Sequence, residues 1–250
     1  MIRIAIVCEA NADFVLASCL ADRLFQDRIQ WIEPEYLDSI RTWVGGDPNP
    51  ASRFLSWREV AEKARELNIK VHGTFQGASG EPDAQAGARA LRILKRIHAD
   101  LKGVILMRDS DNDLRRRQGL RQARTTHGTS LAVVVGVAHT KRECWVLAGF
   151  VPVTPDEDRQ LLEEKKRLGF DPTVHSHQLT AKHDPRNDLR SAKRVLASLT
   201  GNDRTRESEC WQATPLSKLR DQGDSSGLKE FLNEIDEHLV PLFSNDCRKS

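Results

Sequence analysis

Between residues 1 and 150, short β-branched runs alternate with stretches whose apolar side chains recur at helical spacing. This alternation narrows the fold more than any other feature, because a strand–helix–strand rhythm builds an α/β architecture around a mostly parallel, doubly wound sheet. Residues 2–8 (Ile-Arg-Ile-Ala-Ile-Val-Cys) read as a buried strand. Val15, Leu16, Cys19, Leu20 and Leu24 then mark a helix to about Phe25, with Asn11 placed to cap it. Residues 29–33 read as a second strand, 34–55 as a long loop rich in turn formers, 56–67 as a helix and Ile69–Phe75 as a strand. Ala84, Ala88, Leu91 and Leu94 stripe a helix from Asp83 to about Ala99. Gly103–Met107 is a buried strand, 112–126 a basic helix, Ser130–Val137 the most hydrophobic strand and Lys141–Val151 a helix.

Past residue 151 the rhythm stops. Helical candidates at 156–168, 188–199 and 226–243 are joined by polar segments. The chain therefore divides into an α/β domain over 1–151 and a mainly helical C-terminal extension over 152–250. No apolar run approaches the roughly 20 residues that span a bilayer, so no membrane role is expected and a cytoplasmic protein is the default. The five cysteines are odd in number and none has CxxC spacing, which suggests neither a disulfide framework nor a zinc site. Net charge is only +2, so a case for nucleic acid has to come from local charge distribution.

In open parallel sheets ligands bind outside the carboxyl ends of the strands. Glu9 directly follows strand 2–8, and Asp109 and Asp111 directly follow strand 103–107. Residues at i and i+2 of an extended chain project to one side, so both aspartates face one point. Asp113 extends the set by a step, and Asp13 lies one helical turn after Glu9. Carboxylates that converge repel one another, and a hard cation such as Mg²⁺ relieves this while keeping positions for water and substrate phosphate. Acidic clusters after strands also serve as ordinary turns and helix caps.

Strand–Glu–helix (Ile4-Ala-Ile-Val-Cys-Glu9-Ala-Asn-Ala-Asp13), followed by strand–Asp-x-Asp (Val104-Ile-Leu-Met-Arg-Asp109-Ser-Asp111-Asn-Asp113), resembles a TOPRIM domain. The closest likeness is to the small bacterial OLD-like nucleases associated with phage defence. A third stretch, from Val133 through Lys141-Arg-Glu143-Cys-Trp145, looks like the later strand–helix element of such proteins, and Lys182-His-Asp-Pro-Arg186 is similar to a C-terminal feature of theirs. The resemblance covers about residues 1–150. TOPRIM domains usually have Gly after the Glu, and this chain has Ala10. The resemblance implies a Rossmann-like sheet and Mg²⁺ (or Mn²⁺) held by Glu9, Asp109 and Asp111, the catalytic set. Asp13, Asp113 and Glu143 are then further metal ligands. It also implies cleavage of DNA or RNA phosphodiesters, under the control of an ATPase or other regulatory protein partner.

Arg115, Arg116, Arg117, Arg121 and Arg124 follow the Asp-x-Asp with no acid among them, and on a helix 117, 121 and 124 share a face. With Lys141 and Lys182 they are the candidate nucleic-acid contacts; an Arg-rich helix is equally a solvated face. Trp43, in a polar loop, is the candidate for base stacking, and Trp145 reads as core. Three rivals stand beside the nuclease: a metal-dependent phosphotransferase or phosphatase on a similar acidic sheet, a non-catalytic or partner-binding module, and a receiver-like phosphoacceptor, for which the sequence offers no clean match to a lone acceptor Asp and a downstream Lys.

Overall fold

A computed structural model describes residues 1–49, 51–181 and 189–244. The elements run β1 (Ile2–Cys8), α1 (Asn11–Arg28), α2 (Leu37–Ile40), β2 (Arg41–Val44), β3 (Leu55–Ser56), α3 (Val60–Glu66), β4 (Thr74–Phe75), β5 (Ala78–Ser79), α4 (Ala84–Ile97), β6 (Leu101–Asp109), α5 (Arg115–His127) and β7 (Ala132–Ala138). The remainder is helical: α6 (Arg142–Ala148), α7 (Pro155–Leu168), α8 (Ala192–Thr200), α9 (Arg204–Gln212), α10 (Leu216–Gln222), α11 (Leu228–His238) and α12 (Val240–Ser244). The strands of the main sheet follow the order β2-β1-β6-β7, and β3 pairs with the end of β1. β2, β3 and β6 all run parallel to β1. This is the mostly parallel, Rossmann-like α/β sheet followed by helices that the sequence predicts. No helix among the described residues is long and apolar enough to cross a membrane.

The chain forms two compact units. The first comprises residues 1–108, 114–136 and 231 onward, and holds most of the sheet. β1 is buried at every position except Arg3, as a strand covered on both faces must be. Its first half is flanked by β2 (Ile2 opposite Arg41, Ala5 opposite Val44) and its last two residues by β3. On the other side Val7 stands opposite Leu106 of β6. The end of the chain joins this unit: Phe243 packs on Phe25 with ring centroids 4.6 Å apart. A Cβ at Gly103 would lie 2.6 Å from a Leu239 methyl, so the glycine makes room for that residue on β6.

Four local expectations change. Residues 29–33 form no strand, because Trp31 lies exposed in a turn and Pro34 opens a short 3₁₀ helix. The partner of β1 is instead Arg41–Val44, inside the expected loop. Arg41 is buried there because Asp22 accepts both of its guanidinium donors, at 2.8 and 2.6 Å. Trp43 is buried in that strand and so does not offer a stacking platform. Ile69–Phe75 shrinks to Thr74–Phe75, paired antiparallel with Ala78–Ser79. Gln76 and Gly77 between them have φ of 50° and 83°, the left-handed pair that a tight hairpin demands.

The second unit comprises residues 109–113 and 137–230. Trp145 of α6 is fully buried, as expected, and its Nε1 donates to the Ser226 carbonyl at 2.8 Å. Glu164 of α7 is also buried, and Arg194 of α8 grips it with two 2.7 Å bonds, joined by Ser198 and Arg167. These donors outweigh burial and hold the Glu164 carboxyl below its usual range.

Candidate functional site

Glu9 directly follows β1 in the first unit, and Asp109, the last residue of β6, belongs to the second. In the first unit, the turn after β1 is held by Asp13, whose carboxylate accepts from the backbone N–H of Ala10 at 2.9 Å and of Glu9 at 3.2 Å. Asp13 thus does the capping expected of Asn11, since Ala10 at the N-cap has only a methyl group and no acceptor. Ala10 itself is extended (φ −151°, ψ 168°), a conformation that does not require glycine. Glu9 pairs with Arg108 at 3.3 Å. Arg108, just ahead of the Asp-x-Asp, also meets Asp83 at 3.2 Å and lies over the Trp57 ring at 5.2 Å. Trp57 is fixed in turn by donating to the Met107 carbonyl at 2.7 Å.

The arginines of α5 divide by role. Arg116 pairs with Asp83 at 3.3 Å. Arg124 spans the Glu234 carboxylate at 2.5 Å, the Val133 carbonyl at 3.2 Å and His238 Nε2 at 3.1 Å, and Arg121 lies 3.8 Å from the same glutamate. Glu234 is buried and also accepts from the Val135 N–H at 3.2 Å. The face read as phosphate-binding at 121 and 124 therefore tethers α11. Arg115 is exposed and Arg117 half-buried.

In the second unit, Asp109 and Asp111 converge on one cation. Lys141 Nζ lies 3.2 Å from Asp109 and 2.6 Å from Asp111. Burial works against the ammonium, but the two carboxylates prevail and hold its pKa above the ordinary lysine value. Asp109 also accepts from the Arg142 N–H at 2.8 Å. The turn is shaped by Asp111 and Asn112, with φ of 47° and 69°, residue types that tolerate the left-handed region. It is stitched by Ser110 N–H to the Ala138 carbonyl (2.9 Å), Asp111 N–H to Thr140 (3.2 Å) and Asp113 N–H back to Ser110 (2.8 Å). Ser110 Oγ lies 2.9 Å from His139 Nδ1. Glu143 is buried and 3.6 Å from Arg142, which also reaches Glu207 at 3.5 Å. Lys182 lies outside the described residues.

Asp109 and Asp111 thus come together as the sequence predicts, while Glu9, Asp13 and Glu143 each have a local partner. Among the described residues no three His, Cys, Asp or Glu side chains are grouped to hold a metal ion. The donor set that fits Mg²⁺ is smaller: two carboxylates already sharing one cation, an ion that commonly uses one or two carboxylates and completes its shell with water and phosphate. Arg108 and Asp83, linked to each other and through Arg108 to Glu9, and His139, beside Ser110, went unnoticed in the sequence, because only contacts between distant parts of the chain bring them there. No family model matches the chain, and neither a curated protein nor a solved structure matches it.

Proposed function

We propose that the protein is a Mg²⁺-dependent nuclease of the TOPRIM type, cleaving phosphodiester bonds of DNA or RNA as a partner-controlled effector of phage defence. The observation that carries this reading is the pair Asp109 and Asp111, set at the end of a buried parallel strand and sharing one cation. Asp109 and Asp111 would hold the ion; a third carboxylate from Glu9 follows from the resemblance alone. A bound Mg²⁺ supplies charge stabilisation at the scissile phosphate and a more acidic water. Lys141 puts a positive charge beside both carboxylates, within reach of a phosphate oxygen. Defence and a controlling ATPase follow from the resemblance alone.

The test incubates the protein, with and without a candidate ATPase partner, with DNA and RNA plus Mg²⁺ or Mn²⁺. Asp109→Ala should lose cleavage by about a hundredfold or more. Identical behaviour of wild type and variant under every condition would falsify the nuclease reading. One observation favours a non-catalytic module: Glu9, Asp13, Asp109, Asp111 and Glu143 all have partners inside the protein. That reading predicts no Mg²⁺-dependent shift in melting temperature.

A further inference from the structure

We propose that the solvent face of α4 is a polyanion surface that takes the sugar-phosphate backbone of a nucleic acid. The nucleic-acid partner rests on the functional reading above, but binding is separable from cleavage. Ala84, Ala88, Leu91 and Leu94 of α4 are fully buried, which directs Arg92, Lys95 and Arg96 to solvent, with Arg89 half-covered beside them. α4 contains no acidic residue, and neither does α5, which packs against it; α4 carries four Lys or Arg residues and α5 five.

The two helices use their charge differently. On α5, Arg116, Arg121 and Arg124 are engaged by Asp83 and Glu234. On α4, Arg92 and Lys95 have neutral partners. Arg92 donates to the Lys70 carbonyl and Lys95 to Ser130 Oγ, so neither charge is cancelled. α3 packs on α4 and brings Glu62 and Glu66, but balances them with Lys63 and Arg65. The surplus is felt across the helix pair: burial first, then Arg92 and Lys95, lower the pKa of His127.

The geometry suits a phosphate strand. Arg89, Arg92 and Arg96 step about 4.5 and 6 Å along the helix axis, which is between one and two nucleotides of a strand that rises about 3.4 Å each, a mismatch that long, flexible side chains absorb. Planar guanidinium forks match phosphate oxygens. A lipid surface fits less well, because the apolar side of α4 is buried and leaves nothing to insert into a bilayer.

The test compares wild type with R92E/K95E/R96E, the milder R92Q/R96Q, and Lys166→Glu as a control on exposed α7. Circular dichroism and urea midpoints check the fold. Anisotropy of short fluorescein-labelled single-stranded DNA, duplex DNA and RNA is read across a KCl series. The triple variant should bind at least tenfold more weakly, with R92Q/R96Q between it and wild type. The slope of log K against log salt should fall by about 1 for each cation removed. Lys166→Glu should match wild type. Unchanged affinity and slope in both α4 variants, or no binding by wild type at low salt, overturns the surface. So does a loss confined to phosphatidylserine vesicles, which would assign the face to membranes. Binding lost by the variants without any cleavage by wild type keeps the surface and removes the nuclease. Cleavage by wild type with binding unchanged in the variants does the reverse.

Discussion

Lys141 is the residue on which the acidic turn depends, since Asp109 and Asp111 both lean on its ammonium. Lys141→Met leaves two partly buried carboxylates facing each other, and should cost about 1–3 kcal/mol in urea unfolding. Millimolar Mg²⁺ should then raise the melting temperature of the variant more than that of wild type; equal shifts in the two proteins would show that the turn does not take the ion. Glu164 gives a second test. Its pKa is depressed, so its stabilisation is complete above the ordinary glutamate value and is lost as pH falls through the folded value. Glu164→Gln should cost about 3 kcal/mol at neutral pH and less in acid, measured by urea midpoints across pH. His127 has the opposite logic. A depressed histidine pKa leaves stability intact above about 6.5 and erodes it as pH drops below, because the unfolded chain takes the proton first. His127→Gln should flatten that decline.

At the scale of elements, α11 is pinned at both ends of a short interface: Glu234 to Arg124 and the Val135 N–H, Leu239 against Gly103. Gly103→Ala should cost about 1–3 kcal/mol by overpacking against Leu239, and a chain that loses nothing in urea unfolding would show that Leu239 moves aside freely. The elements legible in the sequence are those whose burial is written in their own residues. β1, β6 and β7 are continuous apolar runs, and α1 and α4 carry apolar stripes. β2 was hidden because Arg41 is buried through its pairing with Asp22, nineteen positions earlier on helix α1. α9 was hidden because only Cys210 and Trp211 are buried in it, although Asp203, accepting from the Thr205 N–H at 2.8 Å, was a visible cap. The candidate site divides the same way. Two aspartates after a strand can be read directly, whereas Lys141 as their shared partner, and Glu234 as the sink for Arg121 and Arg124, depend on contacts between distant parts of the chain.

Over the whole molecule, the backbone passes between the two units after residues 108, 113, 136 and 230, so neither unit is one continuous stretch of sequence. The first unit needs the chain beyond residue 231, including Phe243 on Phe25. A fragment ending at residue 151 should therefore lack a cooperative urea transition, and a sharp one would mean that α11 and α12 are dispensable. The acid-free pair α4 and α5 has a consequence of another kind. A chain with 38 Lys and Arg against 36 Asp and Glu is close to electroneutral, yet nine of those cations sit on two adjoining helices that contain no acid, and Asp83 and Glu234, which answer Arg116, Arg121 and Arg124, come from outside them. Such a pair of helices gives the surface a local positive field despite the small net charge. A patch of that kind attracts acidic patches on other copies in dilute buffer, so this protein should dissolve better as the first salt is added.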